Sequence, residues 1–300
     1  MPLSHPRPTG ARGCPSPTET PGVSTFDPFA RFYDLDTEGI DEDLPFWTQL
    51  ARFTGGPVLE VGCGTGRVLV PLAQEGFDVV GVDISPAMLA VARAKVDAAG
   101  VADRVRLVHA NALDLDLKQT FSLAFVALNS FGHFAEPGEP ERVLDRLRQH
   151  LEPGGSLALD LTNPAPGAFG NTEGLVIHDY TRPGPRPEWQ TVKFRSQWQD
   201  FVAERIDVSC FYDEVGPSGE IRRTVASYAL RYFYPNELRL LFERAGFAVQ
   251  QMYGSYDLDP LTDSSERLLI VGRLPRRERA KPVRRSNRFT AGDRPPSEEA

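Results

Sequence analysis

The sequence predicts an α/β fold, a doubly wound parallel sheet that carries an antiparallel β insertion. Three observations predict it. From residue 57 to 162, strand-like apolar runs alternate with helix-periodic stretches, the order that builds a parallel sheet with crossover helices. A glycine-rich turn joins the first strand to the stretch that follows it. Beyond residue 172 the apolar period shortens to two, the period of a half-buried strand.

Val58-Leu59-Glu60-Val61 reads as a buried strand with one acid inside it, and Gly62-Cys63-Gly64-Thr65-Gly66-Arg67 as a tight turn into a helix. The spacing is Gly-x-Gly-x-Gly, unlike the Gly-x-Gly-x-x-Gly of dinucleotide enzymes. Glycines let a ligand approach the backbone, and a helix start offers free N–H groups. Cys63 stands where a small residue is wanted, and packing accounts for it. The second strand, Phe77 to Val82, ends in Asp83, placed to accept both hydroxyls of a ribose. Ser85 and Pro86 read as the N-cap and first residue of the next helix, with Met88 on its first turn.

Val105 to Asp114 is a third strand and loop, and Phe121 to Val126 is a fourth strand leaving through Asn129-Ser130-Phe131-Gly132-His133-Phe134. Leu151 to Asp160 reads as a helix end, a Pro-Gly-Gly turn and a fifth strand. Runs around Thr191–Trp198, Ile206–Tyr212 and Val225–Phe233, with a Gly216-Pro217-Ser218-Gly219 turn, form the antiparallel insertion over 172–233. Tyr234 to Phe247 is a helix with Pro at its start and Gly at its end.

In their order, over residues 26–274, these motifs resemble the class I S-adenosylmethionine (SAM)-dependent methyltransferases, small-molecule branch. The insertion is similar to that of sugar N-methyltransferases and related enzymes. The resemblance implies a Rossmann-like methyltransferase sheet with an antiparallel final strand pair, and SAM as cofactor. It implies cofactor contacts from Glu60, Gly62, Cys63, Gly64, Gly66, Arg67, Asp83, Ile84, Met88, Asn111, Ala112 and Leu128. Two positions depart from the family pattern. Asn111 stands where an acid usually meets the adenine amino group, and Ser122 where the fourth strand often has an acid. The Pro-Pro-aromatic motif of nucleic-acid amino-methyltransferases is missing after the fourth strand.

His133 is the candidate general base, because it follows the fourth strand at the carboxyl end of the sheet; the alternative is a histidine that only braces its loop. Tyr33 is a candidate for the methyl site, since an aromatic face suits a sulfonium; packing of an amphipathic helix is the alternative. Arg31 and Arg67 are candidates for the methionine carboxylate, against a reading as solvated arginines. Glu60, buried in a strand, needs a partner. Trp189, Trp198, Tyr228 and Tyr232 are candidates for an acceptor pocket, or for sheet core.

The net charge of -8 understates the acidity of the body, because residues 1–22 and 275–300 are each net basic. An acidic body argues against a nucleic-acid groove. Both terminal stretches are polar and rich in Pro and are expected to be disordered tails flanking a methyltransferase domain over 23–274. No run of 18 apolar residues suggests a membrane span, no secretory leader is recognisable, and the three scattered cysteines have no metal spacing. The expectation is a cytoplasmic enzyme, with a homodimer left open, that transfers methyl from SAM to N or O of a small molecule. A nicotinamide-dependent oxidoreductase and a non-catalytic SAM-binding regulator are the rivals.

Overall fold

Val58–Val61 (β1) is buried at every position and lies at the centre of a seven-stranded sheet. The computed structural model describes residues 24–165, 174–184 and 186–276. The remaining strands of this sheet are Val79–Asp83 (β2), Val105–His109 (β3), Phe121–Val126 (β4), Leu151–Thr162 (β5), Ala248–Tyr253 (β10) and Arg267–Arg273 (β11). Their order is β10-β11-β5-β4-β1-β2-β3. β1 pairs in parallel with β2 and β4, while β11 runs antiparallel to both β5 and β10. The final antiparallel pair expected from the resemblance is therefore present.

Helices Leu44–Thr54 (α2), Leu69–Gln74 (α3), Pro86–Ala98 (α4), Glu139–Gln149 (α5) and Pro235–Arg244 (α6) cover the sheet. Two apolar clusters form the core on its faces. One gathers Leu59, Phe121, Phe131, Leu144, Phe233 and Phe242, the other Trp47, Leu69, Leu72, Phe125 and Leu269. A fully buried Phe or Leu side chain contributes about 1.5–3 kcal/mol each. Ser85 caps α4 as expected, accepting the Met88 N–H at 3.1 Å with Pro86 as the first residue.

Two local expectations change. The Pro-Gly-Gly segment is not a turn ahead of β5 but a bulge within it. Leu151 already pairs with Phe121, and pairing resumes at Ser156 with Leu123. Gly154 sits at φ +93° there, which admits the extra residues. The helix after the glycine turn is short, six residues, so it contributes little as a helix start.

The insertion is a separate four-stranded antiparallel sheet, Ile177–Pro183 (β6), Gln190–Asp200 (β7), Arg205–Val215 (β8) and Ile221–Arg231 (β9). Its inner face does not pack on the large sheet. It packs on the segment before β1, which holds a 3-10 turn at Asp27–Phe29 and a single-turn helix, Tyr33–Asp36 (α1). Phe29, Phe32, Ile206, Val208, Cys210, Tyr212 and Tyr232 form a third cluster there, with Phe32 stacked on Tyr212 at 4.2 Å. Asp36 accepts from Tyr180 at 2.7 Å and Tyr212 at 2.6 Å and pairs with Lys193 at 3.0 Å. Arg31 pairs with Glu214 at 2.9 Å. The N-terminal segment is thus a strap, held to the insertion on one side.

The terminal tails expected at 1–22 and 275–300 lie outside the described residues, apart from Pro275 and Arg276, as does Cys14. Among the described residues, no helix is long and apolar enough to cross a membrane.

Candidate active site

The carboxyl ends of β1, β2 and β3 open into a cavity of about 650 Å³, a size that suits a small cofactor and acceptor. Its floor is the glycine turn. The Gly62 and Cys63 N–H groups donate to the Val82 carbonyl at 2.8 and 3.1 Å, which clamps the turn to β2. Gly62 is at φ +74°, and a Cβ there would lie 2.8 Å from the Ser130 Cβ. Gly64 is at φ +52°, with Tyr33 ring carbons 3.6 Å from where its Cβ would be. The two glycines keep open a cradle that side chains would fill.

Asp83 closes β2 at the cavity wall. Its Oδ2 accepts the Gly64 N–H at 2.8 Å and its Oδ1 accepts the Ser85 N–H at 2.8 Å. Burial raises its carboxyl above the ordinary range, and these two N–H groups act against that rise. Each oxygen keeps a lone pair for a further donor, so the carboxylate fits a diol.

The strap roofs the cavity with Ser24, Thr25, Phe26 and Tyr33. Asp27 accepts from the Ser85 hydroxyl at 2.5 Å. Asp34 accepts from the Thr65 hydroxyl at 2.7 Å and pairs with Lys95 at 2.6 Å. The glycine corner and the start of α4 therefore hold the strap from below. Burial pushes the Tyr33 phenol up to about 12, so it stays protonated at neutral pH.

His133 reaches the cavity from the 3-10 turn Ser130–His133. The chain reverses before this turn through Leu128 (φ +47°) and Asn129 (φ +64°). Left-handed backbone is costly for leucine, and the buried Asp160 holds it. Asp160 accepts the Leu128 N–H at 2.8 Å and the Tyr256 hydroxyl at 3.0 Å, and pairs with Arg267. The His133 Nδ1 lies 3.2 Å from the Ala229 carbonyl of β9. A carbonyl only accepts, which assigns the proton to Nδ1 and leaves the Nε2 lone pair open. Phe26 and Tyr228 meet the ring edge-on at 4.7 and 5.4 Å. In these apolar surroundings burial lowers the imidazole pKa to about 4.

The cavity thus brings together Tyr33, Gly62, Gly64, Asp83, Ile84, Met88, Asn111, Ala112 and His133. Six other predicted residues, apart from the insertion aromatics, do not line it. Cys63 and Gly66 point into packing, the thiol against Gly81 and the glycine against Leu69. Burial raises the Cys63 thiol pKa. Leu128 packs in the core cluster beneath the loop. Arg67 is corrected as a ligand for a carboxylate. Both its terminal nitrogens are taken by the fully buried Asp43, at 2.6 and 2.7 Å, and one also donates to the Ile40 carbonyl. Arg31 is likewise committed, to Glu214 and Thr224. The partner expected for Glu60 is only partly there. Its Oε2 has no hydrogen-bond partner among the described residues, and burial raises its carboxyl well above the usual range.

The insertion aromatics are also corrected. None of Trp189, Trp198, Tyr228 and Tyr232 lines the cavity. Tyr228 packs behind His133, Tyr232 joins the third cluster, Trp189 meets Arg186 and Arg222, and Trp198 is 60% exposed. The pleat turns one face of this sheet toward the strap, and the strap, not the sheet, faces the cavity.

Sequence reasoning missed Phe26, Asp27, Phe134 and Glu139. The first pair lies before any recognisable element and the second after a loop, so only long-range contacts reveal them. Among the described residues no Lys or Arg lines the cavity, and no cluster of three or more His, Cys, Asp or Glu is placed to hold a metal.

Comparison with known proteins agrees with this geometry. Residues 58–155 match the family described as a methyltransferase domain. The cypemycin N-terminal methyltransferase of a Streptomyces species is 30% identical over 230 residues, covering 76% of this chain and 87% of that protein. The fold is similar to that of the CcbJ methyltransferase from Streptomyces caelestis, with a TM-score of 0.72 and 28% identity over 84% of this chain and 98% of that one. The sugar N-methyltransferase KedS8 of a Streptoalloteichus species shares the fold at 22% identity, with a TM-score of 0.67 over 89% of this chain and 99% of that one.

Proposed function

The chain belongs to the class I SAM-dependent methyltransferases, and we propose that it methylates an amine nitrogen of a small molecule. The observation that carries this reading is the neutral His133, its Nε2 open, in a cavity whose described lining holds no Lys or Arg. Nitrogen is favoured by the cypemycin N-terminal methyltransferase, which matches over 87% of its own length, whereas the ubiquinone biosynthesis O-methyltransferases match over 58% of theirs. The nicotinamide and regulator alternatives find no support among the relatives. Two buried free thiols, Cys63 and Cys210, suit a reducing compartment such as the cytoplasm.

SAM supplies, when bound, a methyl group already activated on a sulfonium. The residues present fit it. Asp83 would accept the ribose hydroxyls, Gly62 and Gly64 leave the backbone open to it, and Ile84, Met88 and Ala112 offer apolar contact for the adenine. Tyr33 and Phe26, in the roof, present aromatic faces and exclude water from the reacting centre.

A group with a pKa near 4 matches poorly with removing a proton from an alkylammonium at neutral pH. The proposed task of His133 is therefore orientation. Nε2 accepts the N–H of the neutral amine and turns its lone pair toward the methyl carbon. With SAM bound, the sulfonium would supply the methyl to that lone pair and keep the C–S electron pair, and the surplus proton would leave the product nitrogen for solvent.

The test is mass-spectrometric detection of trideuteromethyl transfer from labelled SAM across matched amines, alcohols and carboxylates. Amines should be labelled at nitrogen. Labelling confined to alcohols or carboxylates would sink the assignment.

A further inference from the structure

Asn111 is where the family resemblance placed a contact to the adenine amino group, but its side-chain oxygen is already shared with the backbone. Its Oδ1 accepts the Leu113 N–H at 2.9 Å and caps the 3-10 turn Ala112–Asp114. A neutral amide oxygen that already accepts one bond is a weaker acceptor for an amino group than a carboxylate oxygen.

The cavity lining holds two carboxylates, Asp83 and Glu139. Asp83 sits at the end of β2, engaged with Gly64 and Ser85. Glu139, the first residue of α5, is half-buried and forms no ion pair among the described residues. Its Oε2 accepts the Glu136 N–H at 3.2 Å, which leaves Oε1 open. α5 packs on the turn Ala112–Asp114, and Arg142, one helical turn beyond Glu139, pairs with Asp114. Glu139 therefore flanks the cavity at its Asn111–Leu113 end.

We propose that Glu139 is the adenine-reading residue of this enzyme, its free Oε1 accepting a hydrogen bond from the exocyclic amino group of the cofactor. The proposal rests on SAM binding in this cavity. It places the specificity for adenine on α5, a different element from the loop after β3.

The experiment is titration calorimetry of the full-length protein with S-adenosylhomocysteine and S-inosylhomocysteine, in which a carbonyl replaces the amino group. Wild type should bind the adenosyl compound about tenfold or more tightly, the scale of one hydrogen bond to a charged group. Equal affinity of wild type for both compounds would overturn the proposal without recourse to any variant. Glu139→Gln keeps an oxygen for the amino group and adds a donor for the carbonyl, so the preference should narrow to within about threefold. Glu139→Ala should weaken the adenosyl compound about tenfold, with thermal unfolding as the check on the fold. An unchanged preference in both variants would overturn the proposal. So would a raised acceptor KM with unchanged S-adenosylhomocysteine affinity, which would move Glu139 to the acceptor site. Failure of wild type to bind either compound would instead overturn the cofactor reading beneath the proposal.

Discussion

Replacing His133 by Gln should flatten part of the acid limb of the stability curve. In the folded protein the imidazole pKa is lowered from 6.5 to about 4 by burial against Phe26 and Tyr228. In the unfolded chain it titrates at its ordinary value. Above about pH 7.5 the ring is essentially neutral in both states and contributes little pH dependence. Between 6.5 and 4 the unfolded chain binds a proton that the folded one does not, so stability falls as pH falls. One pKa unit corresponds to about 1.36 kcal/mol, and with the unfolded ring half protonated at pH 6.5 the drop from pH 6.5 to 4.5 is about 2.1 kcal/mol from this group alone. Other groups titrate in the same window, so the informative quantity is the difference between wild type and His133→Gln. Urea unfolding at pH 7.5, 6.5, 5.5 and 4.5 measures it. The two stability curves should converge, or cross, by about that amount as the pH falls. Parallel curves would show that the ring is solvated or charged, and the neutral acceptor assigned to Nε2 would fall with it.

Asp83→Ala should raise the dissociation constant for SAM at least about tenfold, or 1.4 kcal/mol, because it removes the acceptor for two hydroxyls; calorimetry on the folded variant showing unchanged affinity would count against the ribose assignment. Asp43→Ala leaves the Arg67 guanidinium buried without its bidentate partner and should cost about 3–5 kcal/mol in urea unfolding. Asp36→Ala removes the acceptor shared by Tyr180, Tyr212 and Lys193, so it should loosen the strap from the insertion and cost about 2–4 kcal/mol. Weaker SAM binding should accompany that loss if the strap roofs the cofactor, and intact binding in a destabilised variant would separate the two roles. If His133 orients the amine, the wild-type rate should rise with pH only as the acceptor itself deprotonates, and His133→Ala should lower kcat without moving that limb. A separate limb in wild type that the variant abolishes would restore the general base.

The parallel sheet, the glycine corner, Asp83 and the Ser85 cap were legible because each depends on residues close in sequence. An apolar run, positive-φ glycines and an acid closing a strand carry their structural meaning locally. So did the period-two insertion, whose pleat is written in its alternation. Arg67 illustrates the limit. An arginine beside a glycine corner invites a ligand, yet Asp43, 24 residues away, had already claimed it. The same holds for Trp198: alternation placed it on a strand, but which face met the cavity depended on what the sheet packed against.

What the sequence by itself determined is the chemistry available: a glycine corner, a carboxylate closing the second strand and an imidazole after the fourth. What only the tertiary structure decided is how those groups are set. The strap between the insertion and the corner, the Ala229 carbonyl that assigns the His133 proton, and the Asp160 contacts that hold Leu128 and Asn129 in left-handed backbone all join residues far apart in the chain. Burial and hydrogen-bond partnership are properties of the assembled fold. They turn a titratable histidine into a neutral acceptor and an exposed-looking arginine into a buried brace.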